Sequence, residues 1–460
     1  MVLTLARWQF ALTTIFHFFF VPVTIGLGFL VAWMQTLAYR RKDAEWDRLS
    51  RFFGRLFLIN LAIGVVTGIV LEFQFGMNWS AYSIFVGNIF GAPLAIEGLL
   101  AFFLESTFIG LWIFGRDRLS PRLHLATIWV VSAGTLLSAF FILVANAWMQ
   151  HPVGYKIVDG QAVLTNFWSV LGNSTLWMAF IHTVLAALVT GAILVLGISV
   201  YRAHRDRTNE QAHAIFVRAA RFAATFTLVA VLLTMVAGDL QTRLLDNQQP
   251  MKMAAAEALY QTQDGASFSL LTIGNMSGKP VFQIRVPHLL SLIADLSWNG
   301  QVEGIDQAQK AEAAKYGAGS YEPVLWLTYW TFRLMVGAGI LMLLLSAWAF
   351  VLARRKRLVV NRWFVRAAMI GMVLPFVANT TGWVFTEAGR QPWIVYGLMK
   401  TAIGVSRVSG ADVAATLICF ILIYAVIGTI DATLMVRAAR RPLDLPDEAS
   451  SEDAVAGLVY

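Results

Sequence analysis

The chain reads as an all-α, polytopic membrane bundle of nine transmembrane helices carrying one large extracytoplasmic loop. Three observations lead there. Of 460 residues, 58% are hydrophobic and only 13% charged, where a soluble protein carries about a quarter charged. Mean hydropathy is +0.65. The apolar residues fall in runs of about 20 or more, long enough to cross a bilayer as helix. So little polar surface excludes most soluble enzymes, nucleic-acid binders and disordered proteins. The net charge of +8 then reports loop lysines and arginines that set topology. The single cysteine, Cys419, lies inside an apolar run. That excludes an intrachain disulfide, a Cys-based zinc or iron–sulfur site, a two-cysteine copper centre and a c-type haem attachment.

The apolar runs predict spans at 9–37, 52–76, 91–114, 123–148, 176–200, 214–238, 324–352, 363–386 and 411–436. The first is too long for a signal peptide and has no small-residue cleavage pattern, so it reads as a helix that stays. Arginine clusters follow the odd-numbered spans: Arg40, Arg41 and Arg48; Arg116, Arg118 and Arg122; Arg202, Arg205 and Arg207; Arg354, Arg355 and Arg357; Arg437, Arg440 and Arg441. Segment 77–90 has no Lys or Arg, and 149–175 has only Lys156. The positive-inside rule therefore puts the N-terminus outside and the C-terminus in the cytoplasm. The domain reading is helices one to six over 1–238, a polar outer loop over 239–323, helices seven to nine over 324–440, and a disordered cytoplasmic tail over 441–460. A loop that long between packed helices is usually functional or disordered. Met251–Thr262 and Gln307–Tyr316 within it have helical composition, so a small folded cap with some mobile parts is expected.

Ionisable side chains inside a bilayer are costly, which makes each a functional candidate. His17, Glu72, Glu97, Glu105, His182, Arg333 and Glu387 qualify, and Met335 lies beside Arg333. A lone helical histidine is usually a hydrogen-bonded core residue, and one of 15 methionines is usually filler. Depth is what singles these out. With the N-terminus outside, His17, Glu97, His182, Met335 and Glu387 all come to one level under the outer loop. His and Met are axial ligands of low-spin haem, and a carboxylate or lone His leaves an iron position open for a gas. Glu97 and Glu105 suit a proton relay. In a continuous helix they lie about 12 Å apart along the axis and roughly 80° around it. Waters or hydroxyls must bridge that gap, with Ser106 and Ser138 as candidates.

Several strings resemble subunit I of cytochrome bd-type quinol oxidases. They are Gln9–Pro22 (QFALTTIFHFFFVP), Glu72–Ser80 (EFQFGMNWS), Phe90–Thr107 (FGAPLAIEGLLAFFLEST), Val144–Pro152 (VANAWMQHP), Phe332–Val336 (FRLMV) and Gly389–Trp393 (GRQPW). They run from span one to the end of span eight. The resemblance implies an oxidase that takes electrons from quinol and reduces dioxygen to water, with charge separation but no proton pumping. It implies two haems b, one low-spin and one high-spin, and one haem d. By motif, His182 and Met335 ligate the low-spin haem, and His17 and Glu387 match the ligands of the two high-spin haems, in an order left open. Glu97 lies beside that pair. Glu105, Ser106 and Ser138 match a proton pathway from the cytoplasm. Arg333 and Arg390 match partners of haem propionates, and Trp393 packs near a haem. The outer loop corresponds to the family's quinol loop in its short form. Lys252 and Glu257 match residues of quinol oxidation, where a carboxylate serves as base and a cation steadies the quinolate. The resemblance also implies a second membrane subunit, small single-span subunits, surrounding membrane lipid and a prokaryotic cytoplasmic membrane.

Rival classes fit less well. A haem–copper oxidase needs about six intramembrane histidines. This chain has His17, His124, His151, His182, His204, His213 and His288, most of them at loops or edges. A paired-histidine cytochrome b fails likewise. A proton-coupled transporter would use Glu97 and Glu105 but leaves His182, Met335 and the loop unexplained.

Overall fold

The computed structural model describes residues 1–274 and 280–445. The expected tail lies outside the described residues from 446 onward. In chain order come α1 (Val2–Arg41), α2 (Ala44–Asn78), α3 (Ser80–Ile96), a π-helical turn (Glu97–Ala101), α4 (Phe102–Phe114), α5 (Pro121–Gln150), β1 (Tyr155–Val158), β2 (Gln161–Leu164), α6 (Phe167–Leu171), α7 (Ser174–Arg205) and α8 (Glu210–Gln248). Then follow α9 (Pro250–Glu257), β3 (Gln263–Asp264), β4 (Phe268–Gly274), β5 (Pro280–Val286), α10 (Leu289–Asp295), β6 (Gln301–Val302) and α11 (Ile305–Tyr316). Last are α12 (Leu325–Arg354), α13 (Arg362–Gly371), α14 (Leu374–Ala388), β7 (Trp393–Val395), β8 (Met399–Lys400) and α15 (Gly410–Arg440). Among the described residues, nine helical stretches are long and apolar enough to cross a membrane. The all-α bundle is therefore as expected. Among the described residues, the strands form two-stranded antiparallel pairs in the connections.

Local chemistry sets the helix starts. Asp43 accepts from the Glu45 and Trp46 amides at the start of α2, Asn209 caps α8, and Asn361 caps α13. Each satisfies amides that the first helical turn leaves unpaired. Pro121 and Pro250 sit at first-turn positions where no amide is needed. The sixth span ends later than expected. The apolar run stops at 238, but α8 continues to Gln248, and an Asp239–Arg243 ion pair one turn apart supports the extension.

Two close approaches position the site. α1 and α7 cross at Gly26 and Gly191, where an added Cβ on Gly26 would meet Ala187 O at 2.2 Å. Only glycine allows that contact, the usual device of tightly packed membrane helices. Phe18 of α1 stacks on Trp383 of α14 at 5.4 Å, which brings the eighth span beside His17. The arginine-rich end is tied by carboxylates. Arg218 pairs with Asp43 at 2.6 Å and Glu45 at 2.5 Å, Arg116 with Asp47 at 3.1 Å, and Arg55 with Asp444 at 2.6 Å.

Candidate functional site

His17 Nδ1 lies 2.9 Å from Thr67 Oγ1. The Thr67 hydroxyl points its one proton at the Gly64 and Ile63 carbonyls, 3.0 and 3.1 Å away. The imidazole must then donate through Nδ1, which leaves the Nε2 lone pair free, the state a metal ligand needs. His17 also rests on Gly68, whose added Cβ would stand 3.0 Å from His17 Cε1. The same arrangement recurs twice. Gly238 of α8 faces His182, with an added Cβ 3.2 Å from Cε1, and Gly382 of α14 faces Met335, with an added Cβ 2.7 Å from Sδ. His182 Nδ1 is buried and has no hydrogen-bond partner.

Glu97 sits on the π turn, where the Phe102 amide bonds to Glu97 O. Its Oε1 accepts from Ser138 of α5 at 2.6 Å. The π turn alters the geometry expected for a continuous helix. One residue is absorbed by the wider turn, so Glu105 lies roughly 20° from the face of Glu97 instead of roughly 80°. The two carboxylates come nearly into line. Glu105 is buried and packs on Gly134, where an added Cβ would stand 2.9 Å from its Cγ. Glu72 of α2 is close enough to Glu97 to share a hydrogen bond. Ser106 faces away from this line: it is exposed and its hydroxyl turns back to Phe103 O at 3.3 Å.

Glu387 ends α14 and is held on several sides. Asn146 donates to its Oε1 at 2.8 Å and Gln150 at 3.4 Å, and Arg390 pairs with its Oε2. Arg390 Nε and Nη1 are buried without partners. Lys252 joins the same group. Its Nζ donates to Thr386 O at 2.8 Å and Gln150 Oε1 at 3.2 Å, and its stem lies against Gly389. Burial pulls the Lys252 ammonium down to about 7, against a smaller opposing effect of Glu387.

Glu257 lies elsewhere. Residues five apart on a helix face directions roughly 140° apart, so α9 turns Lys252 toward Glu387 and Glu257 toward α12. Lys252 and Glu257 do not form one pair. Glu257 Oε2 pairs with Arg333 Nη2 at 2.6 Å and accepts from the Ser269 amide at 3.0 Å. Its Oε1 is buried with no partner. Burial raises its pKa, and Arg333 partly offsets the rise. Arg333 lies over the Phe268, Tyr329 and Phe332 rings, with Nε and Nη1 unpartnered. Trp393 donates to Glu312 Oε2 at 3.2 Å and stacks on Tyr321, so its neighbours are α11 and the loop that follows it.

Comparison with known proteins decides what this constellation belongs to. The family model described as cytochrome bd terminal oxidase subunit I matches residues 5–443. The chain belongs to that family. It is 44% identical to the cytochrome bd ubiquinol oxidase subunit 1 of Bacillus subtilis (strain 168), over 95% of this chain and 94% of the relative. It is 35% identical to the cytochrome bd-II ubiquinol oxidase subunit 1 of Escherichia coli (strain K12), over 95% and 96%. A solved bd oxidase from Geobacillus thermodenitrificans superposes with a TM-score of 0.87 at 27% identity, covering 96% of this chain and 98% of that one. The cytochrome bd family is haem-containing, its subunit I works beside a partner subunit, and its place is the bacterial membrane as a multi-pass protein. The residues here fit haem as judged by their own chemistry. A free imidazole nitrogen, a thioether on a glycine shelf and buried guanidinium donors without partners are what iron and propionates take up.

Several residues of this bd-family site escaped sequence reasoning. Gly68, Gly134, Gly238 and Gly382 matter through what is absent, and one sequence gives no sign of which helix face each presents. Asn146 and Gln150 lay within a recognised string without an assigned role. Asp431, inside the ninth span with a buried, unpartnered Oδ1, carried a legible signal, a carboxylate in an apolar run.

Proposed function

We propose that this chain is the redox subunit of a quinol oxidase that reduces dioxygen to water and separates charge without pumping protons. The observation that carries it is the set of ligand atoms left free within the bundle: His17 Nε2, His182 Nδ1 and the thioether of Met335, with Glu387 held by Asn146 and Arg390. A low-spin haem b held by His182 and Met335 would carry single electrons, and a high-spin haem b and a haem d at His17 and Glu387 would bind and reduce dioxygen. Thr67 fixes the tautomer of His17. Arg390, and Arg333 with its spare donors, neutralise carboxylates brought beside them.

Glu257 is the base for quinol. Its free Oε1 accepts a proton from the substrate hydroxyl, and a raised affinity suits a base working near neutral pH. Lys252 acts from the other side of α9 on the group around Glu387. Glu105 and Glu97 hold protons in line, with Ser138 on Glu97. They pass protons from the cytoplasmic side toward the outer half of the bundle, given an N-terminus outside and a C-terminus in the cytoplasm. The chain works with a second membrane subunit and small single-span subunits. Its extracytoplasmic 239–323 region serves quinol, between the helical units at 1–238 and 324–440.

The test is a reduced-minus-oxidised spectrum of the purified complex, with variants. A far-red chlorin band beside haem b bands is expected. His182→Ala should remove the low-spin signal alone, and Glu105→Ala should slow turnover at normal haem content. Haem b bands without the chlorin band would remove haem d and keep the quinol side. A well-folded preparation with no haem would overturn the reading.

A further inference from the structure

The hairpin formed by β4 and β5 is built with its polar side inward. Ser269 and Thr272 are buried against α12: the Tyr329 hydroxyl lies 2.8 Å from Ser269 Oγ and accepts from the Thr272 amide at 2.6 Å. Residues three apart share this face because a bulge falls between Ser269 and Leu271. Arg285, the only charged side chain among the described hairpin residues, also turns inward and donates to Ala258 O at 2.8 Å. The outward side is apolar. Leu270, Ile273, Val281, Phe282 and Ile284 are 45% to 74% exposed, and Ile273 pairs across the ladder with Phe282. A cluster of exposed apolar side chains on one hairpin marks a contact surface.

Its depth identifies the occupant. Tyr329 is four residues into the membrane-spanning α12, about 6 Å along the axis, and Arg333, which lies over Phe268, is about 12 Å along it. The base of the hairpin is thus alongside the first turns of a spanning helix. Trp326 and Trp330, one turn apart on α12, are exposed at the same level, as interfacial tryptophans are. Leu334 and Leu344 continue the exposed apolar surface further down α12.

We infer that the outward face of this hairpin is seated in the interfacial layer of the lipid bilayer at the N-terminal end of α12. The bilayer then covers a face that water would penalise, and it holds the strand whose Ser269 amide binds Glu257. The inference rests on the spanning assignment of α12 and is independent of the oxidase reading.

The test uses the complete complex in nanodiscs of phosphatidylethanolamine and phosphatidylglycerol, in a Cys419→Ser background. Phe282→Cys, Ile284→Cys and, separately, Leu270→Cys carry a fluorophore. Leu344→Cys is the lipid control and Lys310→Cys, on exposed α11, the water control. A nitroxide on a lipid near its headgroup should remove emission at the hairpin positions, while aqueous iodide leaves it, as at Leu344. Iodide quenching matching Lys310 would overturn the inference, leaving the face in water. Protection from both quenchers would overturn it in favour of a covering protein subunit.

Discussion

Replacing Lys252 by Met separates the cost of a buried ammonium from its use. The side chain is enclosed by Gly389, Phe385 and Thr386, and its pKa falls from 10.5 to about 7 because burial removes its water. That difference corresponds to roughly 5 kcal/mol against the charged form in the folded state. A lysine depressed in this way is a burden when charged. The full cost is present below about pH 7 and fades as pH rises toward 10.5, where the unfolded chain also loses the proton. Met fills similar volume and lacks the charge, but gives up the bonds to Thr386 O and Gln150, about 1 kcal/mol each. The variant should therefore be more stable than the parent by roughly 3 kcal/mol near pH 6, and less stable by roughly 1 kcal/mol near pH 10, where part of the cost of the charge remains. Unfolding temperatures of the purified complex across that range read the crossing, and quinol-dependent turnover should fall in the variant at every pH. A variant less stable near pH 6 than the parent, or a difference that does not change with pH, would refute the reasoning.

Glu257→Ala leaves the Arg333 guanidinium buried and unpaired, which should lower stability by about 3–5 kcal/mol. Glu257→Ala with Arg333→Met should recover most of that loss without recovering turnover, as measured by unfolding and quinol oxidation; full additivity of the two losses would refute the pairing. Gly382→Val should displace Met335 Sδ and diminish the low-spin haem signal at a stability cost of about 1–3 kcal/mol. Gly337→Val, where an added Cβ meets nothing within 4 Å, should leave the spectrum intact, so equal spectra in the two variants would count against the shelf.

Single-residue chemistry and periodicity were enough for the membrane class, the nine spans and the intramembrane histidines and carboxylates, because hydrocarbon tolerates so few alternatives. Helix content in the outer loop was legible too, from composition over Gln307–Tyr316 and the first part of Met251–Thr262, although α9 stops at Glu257 where Ala258 turns left-handed. The hairpin was not. Its strands pack polar side inward onto Tyr329, which reverses the pattern a soluble strand would announce. Nor could sequence reveal that the π turn swings Glu105 toward the line of Glu97, since an extra residue in one turn changes every later direction without changing composition. Lys252 and Glu257 look like one working pair when read along five residues, yet α9 turns them to different partners. Gly68, Gly238 and Gly382 acquire meaning only through the side chain that lies against each. The sequence determines which groups are too costly to leave unpartnered in a membrane. The tertiary structure decides which partner each receives, because helix rotation, local turns and close approach fix direction, and direction is what one linear chain does not encode residue by residue.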